Sequence, residues 1–179
     1  ELAANKRQGI KLSGSMTTNN QSAIQSEKET LRLETFSDGV FCIAVTLLSI
    51  EIGVELHGDV TNAGLQYALL AKWPLYLAYV TSFINVLLAW IGHHGLFKMF
   101  RKPDNYIMLT NGLLLMLVAL VPFPTKTLGE FLLTDALKTA VVFYTGYFVL
   151  ISLAFRLLWF AAARNKGLLV HTITEKQIK

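Results

Sequence analysis

The sequence has few charged residues. Of its 179 residues only 16% are charged and 53% are hydrophobic, and the mean hydropathy is +0.46. A soluble domain has about a quarter of its residues charged, so this composition excludes that class and indicates an integral membrane protein. The formal net charge of +4 does not form one basic patch, because lysine and arginine lie at the ends of apolar runs. We therefore expect membrane lipid, and no nucleic acid, as a partner.

The residue patterns of common enzyme and cofactor sites are also missing. The single cysteine, Cys42, rules out a disulfide within the chain. No nucleophile stands beside a base at motif spacing, and neither a phosphate-binding loop nor a dinucleotide-binding glycine pattern occurs. His93 and His94 are adjacent, and neighbours on a helix point about 100° apart, so they cannot hold one metal ion from the same face. We expect no enzymatic activity, no metal and no cofactor.

Long apolar runs dominate the rest of the sequence. Four segments are long enough to approach or cross a hydrocarbon core about 30 Å thick. They predict an all-α integral membrane protein with transmembrane helices at residues 36–54, 73–97, 106–123 and 137–160. The stretch TNAGLQYALLAK before the second run predicts a short interfacial helix, and Pro74 then occupies a permitted first-turn position. We expect the third helix to stop at PFP, because two prolines forbid continuation.

The remaining residues predict two polar ends. Residues 1–30 contain glycine and serine and no apolar period, which predicts a flexible N-terminal arm. Met16 follows LSGS, which resembles an expression linker, so residues 1–15 are interpreted as linker and Met16 as the native start. A transmembrane domain is expected at residues 31–165, and a polar C-terminal tail at residues 166–179.

The positions of the basic residues predict the orientation in the membrane. Lysine and arginine precede the first helix, join the second helix to the third and follow the fourth. Because such loops stay on the cytoplasmic side, we expect both termini there. The opposite loops are mostly acidic, and Glu51 and Glu55 are expected to raise the local concentration of cations at the outer side.

The first apolar run, in RLETFSDGVFCIAVTLLSIEI, has two different faces on a helical wheel. With about 100° per residue, one face lies within about 60° of Ile43 on either side and contains Arg32, Phe36, Gly39, Thr46, Leu47, Ile50 and Val54. Asp38 falls nearly opposite, and with Ser37 it points toward whatever the helix packs against. A carboxylate near the membrane needs a partner, so we favour a buried scaffold contact for Asp38 over a role in transport.

Several blocks of this sequence resemble one known family. Arg32, Phe36, Ser37 and Asp38 spell R-x-x-x-F-S-D, followed by Gly39. This motif resembles the signature of the transmembrane protein 175 family, the endolysosomal potassium channel and its prokaryotic homologues. IAVTLLSIEI resembles the first helix of that family, AWIGHHGLF the second and NGLLLMLVALVPFP the third. Together these blocks cover most of residues 32–125.

The resemblance implies a potassium-selective channel in a prokaryotic cell membrane without a TVGYG filter, a sequence that does not occur here. It implies that the first helix lines the pore, with Ile43 at the hydrophobic gate and Leu47 and Ile50 extending the narrow segment. Thr46 would then contribute to potassium selectivity. Because a single four-helix bundle fills its own centre, a pore needs several copies, and the family implies a homotetramer.

The resemblance also implies a polar scaffold behind the pore helix. In the family the motif serine and aspartate contact polar side chains on neighbouring helices. The scaffold is therefore predicted to consist of Arg32, Phe36, Ser37, Asp38, Trp90, His94 and Asn111. Prokaryotic members resemble subunits with six spans, whereas this sequence shows four.

Two other functions stay open at this point. The first is a proton-coupled membrane carrier that uses Asp38 and His94, which would show saturable flux and no single-channel currents. The second is a haem-binding electron carrier, which would show a Soret band.

Overall fold

The structure is a computed structural model that describes residues 2–53, 61–99 and 103–164. It consists of six helices in chain order: α1 (Leu2–Ile50), α2 (Asn62–Ala71), α3 (Trp73–Phe97), α4 (Asn105–Ala119), α5 (Pro122–Phe131) and α6 (Leu137–Ala163). No β-strand occurs in these three ranges. Four helical segments are long and apolar enough to cross a membrane: Ile24–Ile50, Trp73–Phe97, Asn105–Phe131 and Leu137–Ala163. The all-α membrane class and its four spans are confirmed.

Helix α1 begins much earlier than the first apolar run. Its backbone is helical from Leu2 to Ile50, so it includes most of the segment expected to be a flexible arm. That segment contains no proline, since the first proline of the chain is Pro74. Glycine, serine, threonine and asparagine in this segment lower its helix propensity, but without proline none of its residues lacks the backbone N–H that a helix needs. The flexibility of residues 1–30 and the linker origin of residues 1–15 stay predictions.

The short interfacial helix predicted before the second span is present as α2. Thr61 caps its N-terminus, because its Oγ1 accepts a hydrogen bond from the backbone N–H of Gly64 at 3.1 Å. Pro74 lies in the first turn of α3, as predicted. The last residue of the first predicted span, Val54, lies outside the described residues.

The prediction that the third span stops at PFP is wrong. Helix α4 ends at Ala119, and after a break of two residues α5 begins with Pro122 in its first turn. The N–H groups in the first turn of a helix have no acceptor within that helix, so a proline, which has no N–H, is tolerated there. The two prolines therefore start a helix instead of ending the span. The carbonyl of Leu117, beside the break, accepts from the backbone N–H of Leu120 at 3.2 Å and from the hydroxyl of Tyr147 on α6 at 2.7 Å.

The helices pack in antiparallel order, since each span returns across the bundle. Helix α1 lies against α3 and α4, α3 lies against α5, and α6 lies against α4 and α5. Most of the core is apolar, with α1, α4 and α6 contributing fully buried side chains such as Leu48, Ile107, Leu114, Val118 and Leu158. This packing leaves one side of α1 inside the bundle and the other outside.

Gly129 on α5 packs closely against Leu75 at the start of α3. A Cβ atom added there would lie 2.5 Å from Cδ2 and 3.0 Å from the backbone Cα of Leu75. The backbone Cα cannot move without shifting α3, so this position requires glycine.

Gly129→Ala should therefore destabilise the protein by about 1–3 kcal/mol, the usual cost of overpacking a core. Gly146→Ala is the matched control, because a Cβ atom at Gly146 on α6 would meet nothing within 4 Å. The measurement is thermal unfolding of both variants in detergent. Equal stability of the two variants would show that α5 does not lie this close to α3.

Candidate functional site

Helix α1 buries one face completely between the other helices. The residues of this face recur every three or four positions, as the period of an α-helix requires. They are Ser37, Phe41, Ala44 and Leu48, with exposed fractions of 0%, 2%, 1% and 1%. This stripe fixes the rotation of α1 about its own axis, because any other rotation would expose it.

The opposite face of α1 is apolar and largely uncovered by the rest of the described chain. The exposed fraction is 63% for Phe36, 60% for Ile43, 39% for Leu47 and 70% for Ile50. The structure therefore brings the predicted gate residues Ile43, Leu47 and Ile50 to one side of the molecule. Such a continuous apolar face needs lipid or other protein chains against it.

Thr46 lies on the same exposed side, and its hydroxyl group is already oriented. Oγ1 of Thr46 donates to the backbone carbonyl of Ile43 at 2.8 Å. Because the hydroxyl has only one proton, its oxygen can act toward any further group only as an acceptor. An acceptor oxygen is the kind of ligand that an alkali cation needs, so the geometry agrees with a cation contact at this position.

Behind this face, Ser37 and Asp38 each contact a different helix. Nε1 of Trp90 on α3 donates to Oδ1 of Asp38 at 2.8 Å. Nδ2 of Asn111 on α4 donates to Oγ of Ser37 at 3.0 Å, and this hydroxyl donates to the carbonyl of Leu33 at 2.8 Å. The structure thus joins Ser37 to Asn111 and Asp38 to Trp90.

His93 belongs to the same network, although the sequence analysis did not include it. It is 0% exposed, its ring stacks on Phe97 with centroids 4.3 Å apart, and its Nε2 lies 2.9 Å from Oδ1 of Asn111. Since that amide oxygen is an acceptor, Nε2 carries the proton. The helical spacing of α3 could have indicated His93 as a buried residue, because His93 continues the spacing of the buried Ser82 and Val86. His94 does not continue it.

Of the other predicted scaffold residues, His94 joins α3 to α1 through a different partner, whereas Arg32 and Phe36 make no such contact within the described residues. Nδ1 of His94 lies 2.8 Å from Oε1 of Glu34, one turn before Asp38, and its ring stacks on Trp90 with centroids 5.8 Å apart. Phe36 and Arg32 are exposed. In the part of the chain that the structure describes, the Arg32 side chain makes neither a hydrogen bond nor an ion pair. Arg32 and Phe36 therefore point away from the polar network, as the wheel indicates.

No metal centre is formed within residues 2–53, 61–99 and 103–164. In these ranges His, Cys, Asp and Glu side chains nowhere gather in groups of three or more. The paired histidines also separate, because His93 points to Asn111 and His94 to Glu34. The hydrogen bonds of both rings serve contacts between helices.

Comparison with known proteins identifies the family. The family model described as "Endosomal/lysosomal potassium channel TMEM175" matches residues 32–122. A potassium channel of Chamaesiphon minutus is 43% identical over 152 residues, which are 85% of this chain and 75% of that protein. The chain belongs to the TMEM175 family. Other TMEM175-related proteins include a potassium channel of Streptomyces collinus, 43% identical over 138 residues, or 76% of this chain and 66% of that protein.

More distant TMEM175 proteins and a solved structure complete the comparison. The human endosomal/lysosomal proton channel TMEM175 is 39% identical over 106 residues, which are 56% of this chain and 21% of the human protein. A crystal structure of a lysosomal potassium-selective channel TMEM175 homolog from Chamaesiphon minutus has a TM-score of 0.72 at 46% identity. The match covers 76% of this chain and 73% of the chain in that crystal structure. This TMEM175 chain is therefore a membrane ion-channel protein and not an enzyme.

Asp38→Ala should lower the stability of the protein by about 1–3 kcal/mol, because the indole N–H of Trp90 would lose its acceptor in a partly buried position. Asp38→Asn should retain most of the stability, since its amide oxygen can still accept. Thermal unfolding in detergent measures both, with Asp135→Ala as the control at an exposed aspartate. An Asp38→Ala protein of normal stability but altered ion selectivity would place Asp38 in the permeation path instead.

Proposed function

We propose that four copies of this chain form a potassium-selective channel in a prokaryotic cell membrane, with α1 of each copy lining the pore and both termini in the cytoplasm. The observation that carries this proposal is the difference between the two faces of α1. One face is fully buried and joined to α3 and α4, whereas the face around Ile43 is apolar and uncovered. Several such faces around one axis enclose a narrow path without a TVGYG filter.

In this proposal the Ile43 side chains of the four copies form the narrowest ring of the pore, and Leu47 and Ile50 extend this narrow segment. A narrow ring of apolar side chains expels water and hydrated ions, so it acts as a hydrophobic gate that conducts when it widens. The relatives from Chamaesiphon minutus and Streptomyces collinus are named potassium channels, which supports potassium as the permeating ion. Thr46 is the proposed selectivity residue, because its acceptor oxygen lies one turn from Ile43.

Proton transport is the second candidate, because the human, chicken and mouse relatives are named proton channels. In the proton-coupled carrier that the sequence left open, Asp38 and His94 would transfer the proton. These two side chains have different partners, since Asp38 bonds to Trp90 and His94 to Glu34. A direct hydrogen bond between them is therefore absent, which favours the channel over a carrier that passes a proton from one to the other.

Purified protein in planar bilayers tests the proposal. With potassium on one side and sodium on the other, a potassium channel should give single-channel currents that reverse near the potassium equilibrium potential. A reversal potential that follows a pH gradient would indicate proton permeation. Saturable flux without single-channel currents would indicate the carrier.

Ile43→Asn should raise the conductance, because an amide of similar length hydrogen-bonds water and keeps the ring hydrated. A barrier lowered by about 1.4 kcal/mol corresponds to an approximately tenfold faster ion entry. Single-channel recording measures the effect, with Ile84→Asn as the control at an exposed isoleucine on α3. Currents equal to those of the native channel, in protein shown to be assembled, would place the gate on another face.

Thr46→Val should reduce the preference for potassium with less effect on open probability. Valine has nearly the same shape but lacks the acceptor oxygen, so the free energy of a partly dehydrated cation should rise. Thr145→Val is the matched control, because Thr145 on α6 is also exposed and donates to a backbone carbonyl at 2.8 Å. The measurement is the reversal potential between potassium and sodium. An unchanged reversal potential for Thr46→Val would remove Thr46 from the selectivity mechanism.

A further inference from the structure

An ion pair lies at the C-terminal end of the proposed pore helix. Glu51 directly follows α1, and its Oε2 lies 3.0 Å from Nζ of Lys126 on α5. The side chains of Lys126 and Glu51 are 48% and 28% exposed, so water only partly screens them. Lys126 also lies near the C-terminal end of α1, where the helix dipole is negative, and this strengthens the attraction between Lys126 and α1.

The position of Lys126 is fixed by the residues beside it on α5. Oγ1 of the preceding residue, Thr125, lies 2.7 Å from Oγ of Ser82 on α3, and Ser82 lies 3.0 Å from Oη of Tyr144 on α6. All three side chains are buried. One turn further on, Gly129 packs directly on Leu75. Helix α5 is therefore tied to α3 and α6 and presents Lys126 to α1 from a defined position.

This ion pair determines the net charge next to the last described residue of the α1 face that is proposed to line the pore. Ile50 is 70% exposed and precedes Glu51. In an assembly around α1, a ring of free Glu51 carboxylates would raise the local concentration of cations at that mouth. The sequence analysis expected this role for Glu51. The structure instead pairs its carboxylate with an ammonium group, while Glu55 lies outside the described residues.

We propose that Lys126 sets the electrostatic potential of this pore mouth by neutralising Glu51 and by holding the end of α1 against α5. The inference rests on the proposed function, in which the exposed face of α1 lines the pore. Lys126 is a positioning residue that also limits the supply of cations to the narrow segment.

Lys126→Gln should raise the single-channel potassium conductance at low salt and leave it nearly unchanged at high salt. The Debye length falls from about 30 Å at 0.01 M to about 3 Å at 1 M, so an unmasked Glu51 charge acts on ions only in dilute salt. We expect about a twofold gain at the low concentration. A purely structural role of Lys126 would not depend on salt in this way, and Lys126→Arg should behave like the native channel.

Two further variants test the assignment to Glu51. The double variant Glu51→Gln with Lys126→Gln should lose the gain, because no carboxylate is left to unmask. Lys138→Gln is the matched control, since Lys138 is an exposed lysine in the first turn of α6, at the same end of the bundle. No gain in Lys126→Gln at low salt, or an equal gain in Lys138→Gln, would overturn the proposal.

A stability measurement separates this proposal from the proposed function. In thermal unfolding, the effects of Glu51→Gln and Lys126→Gln should be less than additive, because each removes the same ion pair. Additive effects would contradict the ion pair whether or not current is seen. A native protein that carries no current but shows this coupling would contradict the proposed function and leave the ion pair supported.

Discussion

The structure depends on one constraint, which is that polar side chains inside a membrane must find their partners within the protein. Ser37 and Asp38 meet this constraint through Asn111 on α4 and Trp90 on α3. Because the two donors, Trp90 and Asn111, lie on two different helices, α1 has one rotation at which both hydrogen bonds form. That rotation turns Ile43 outward. The polar network therefore determines which apolar residues are left for contact with lipid or other subunits.

Helix α1 is held at two levels on its protein-facing side. Asp38 is bonded to α3, and Glu51 is paired with Lys126 on α5. At 1.5 Å per residue these two contacts lie about 20 Å apart along the helix. Ile43 lies between them. A movement of α1 alone would break at least one contact, so the proposed gate would widen by side-chain rotation or by movement of the whole chain.

The errors of the sequence analysis have local physical causes. The proline rule predicted a stop at PFP, but a proline in the first turn of a new helix breaks no hydrogen bond, so the span continues as α5. His94 was chosen over His93 although only His93 follows the buried period of α3. Glu51 was expected to raise the local concentration of cations, and a sequence does not show that Lys126, far along the chain, returns to within 3.0 Å of it.

The sequence by itself determined the membrane class, the four spans, the two-sided character of α1 and, through R-x-x-x-F-S-D, the family. These properties follow from composition, the helical period and a local motif, all of which are read along one segment. Only the tertiary structure decided the partners of each polar group, the continuation of the third span and the pairing of Glu51. Such contacts join residues far apart in the chain, and packing of whole helices selects them from several chemically equivalent candidates.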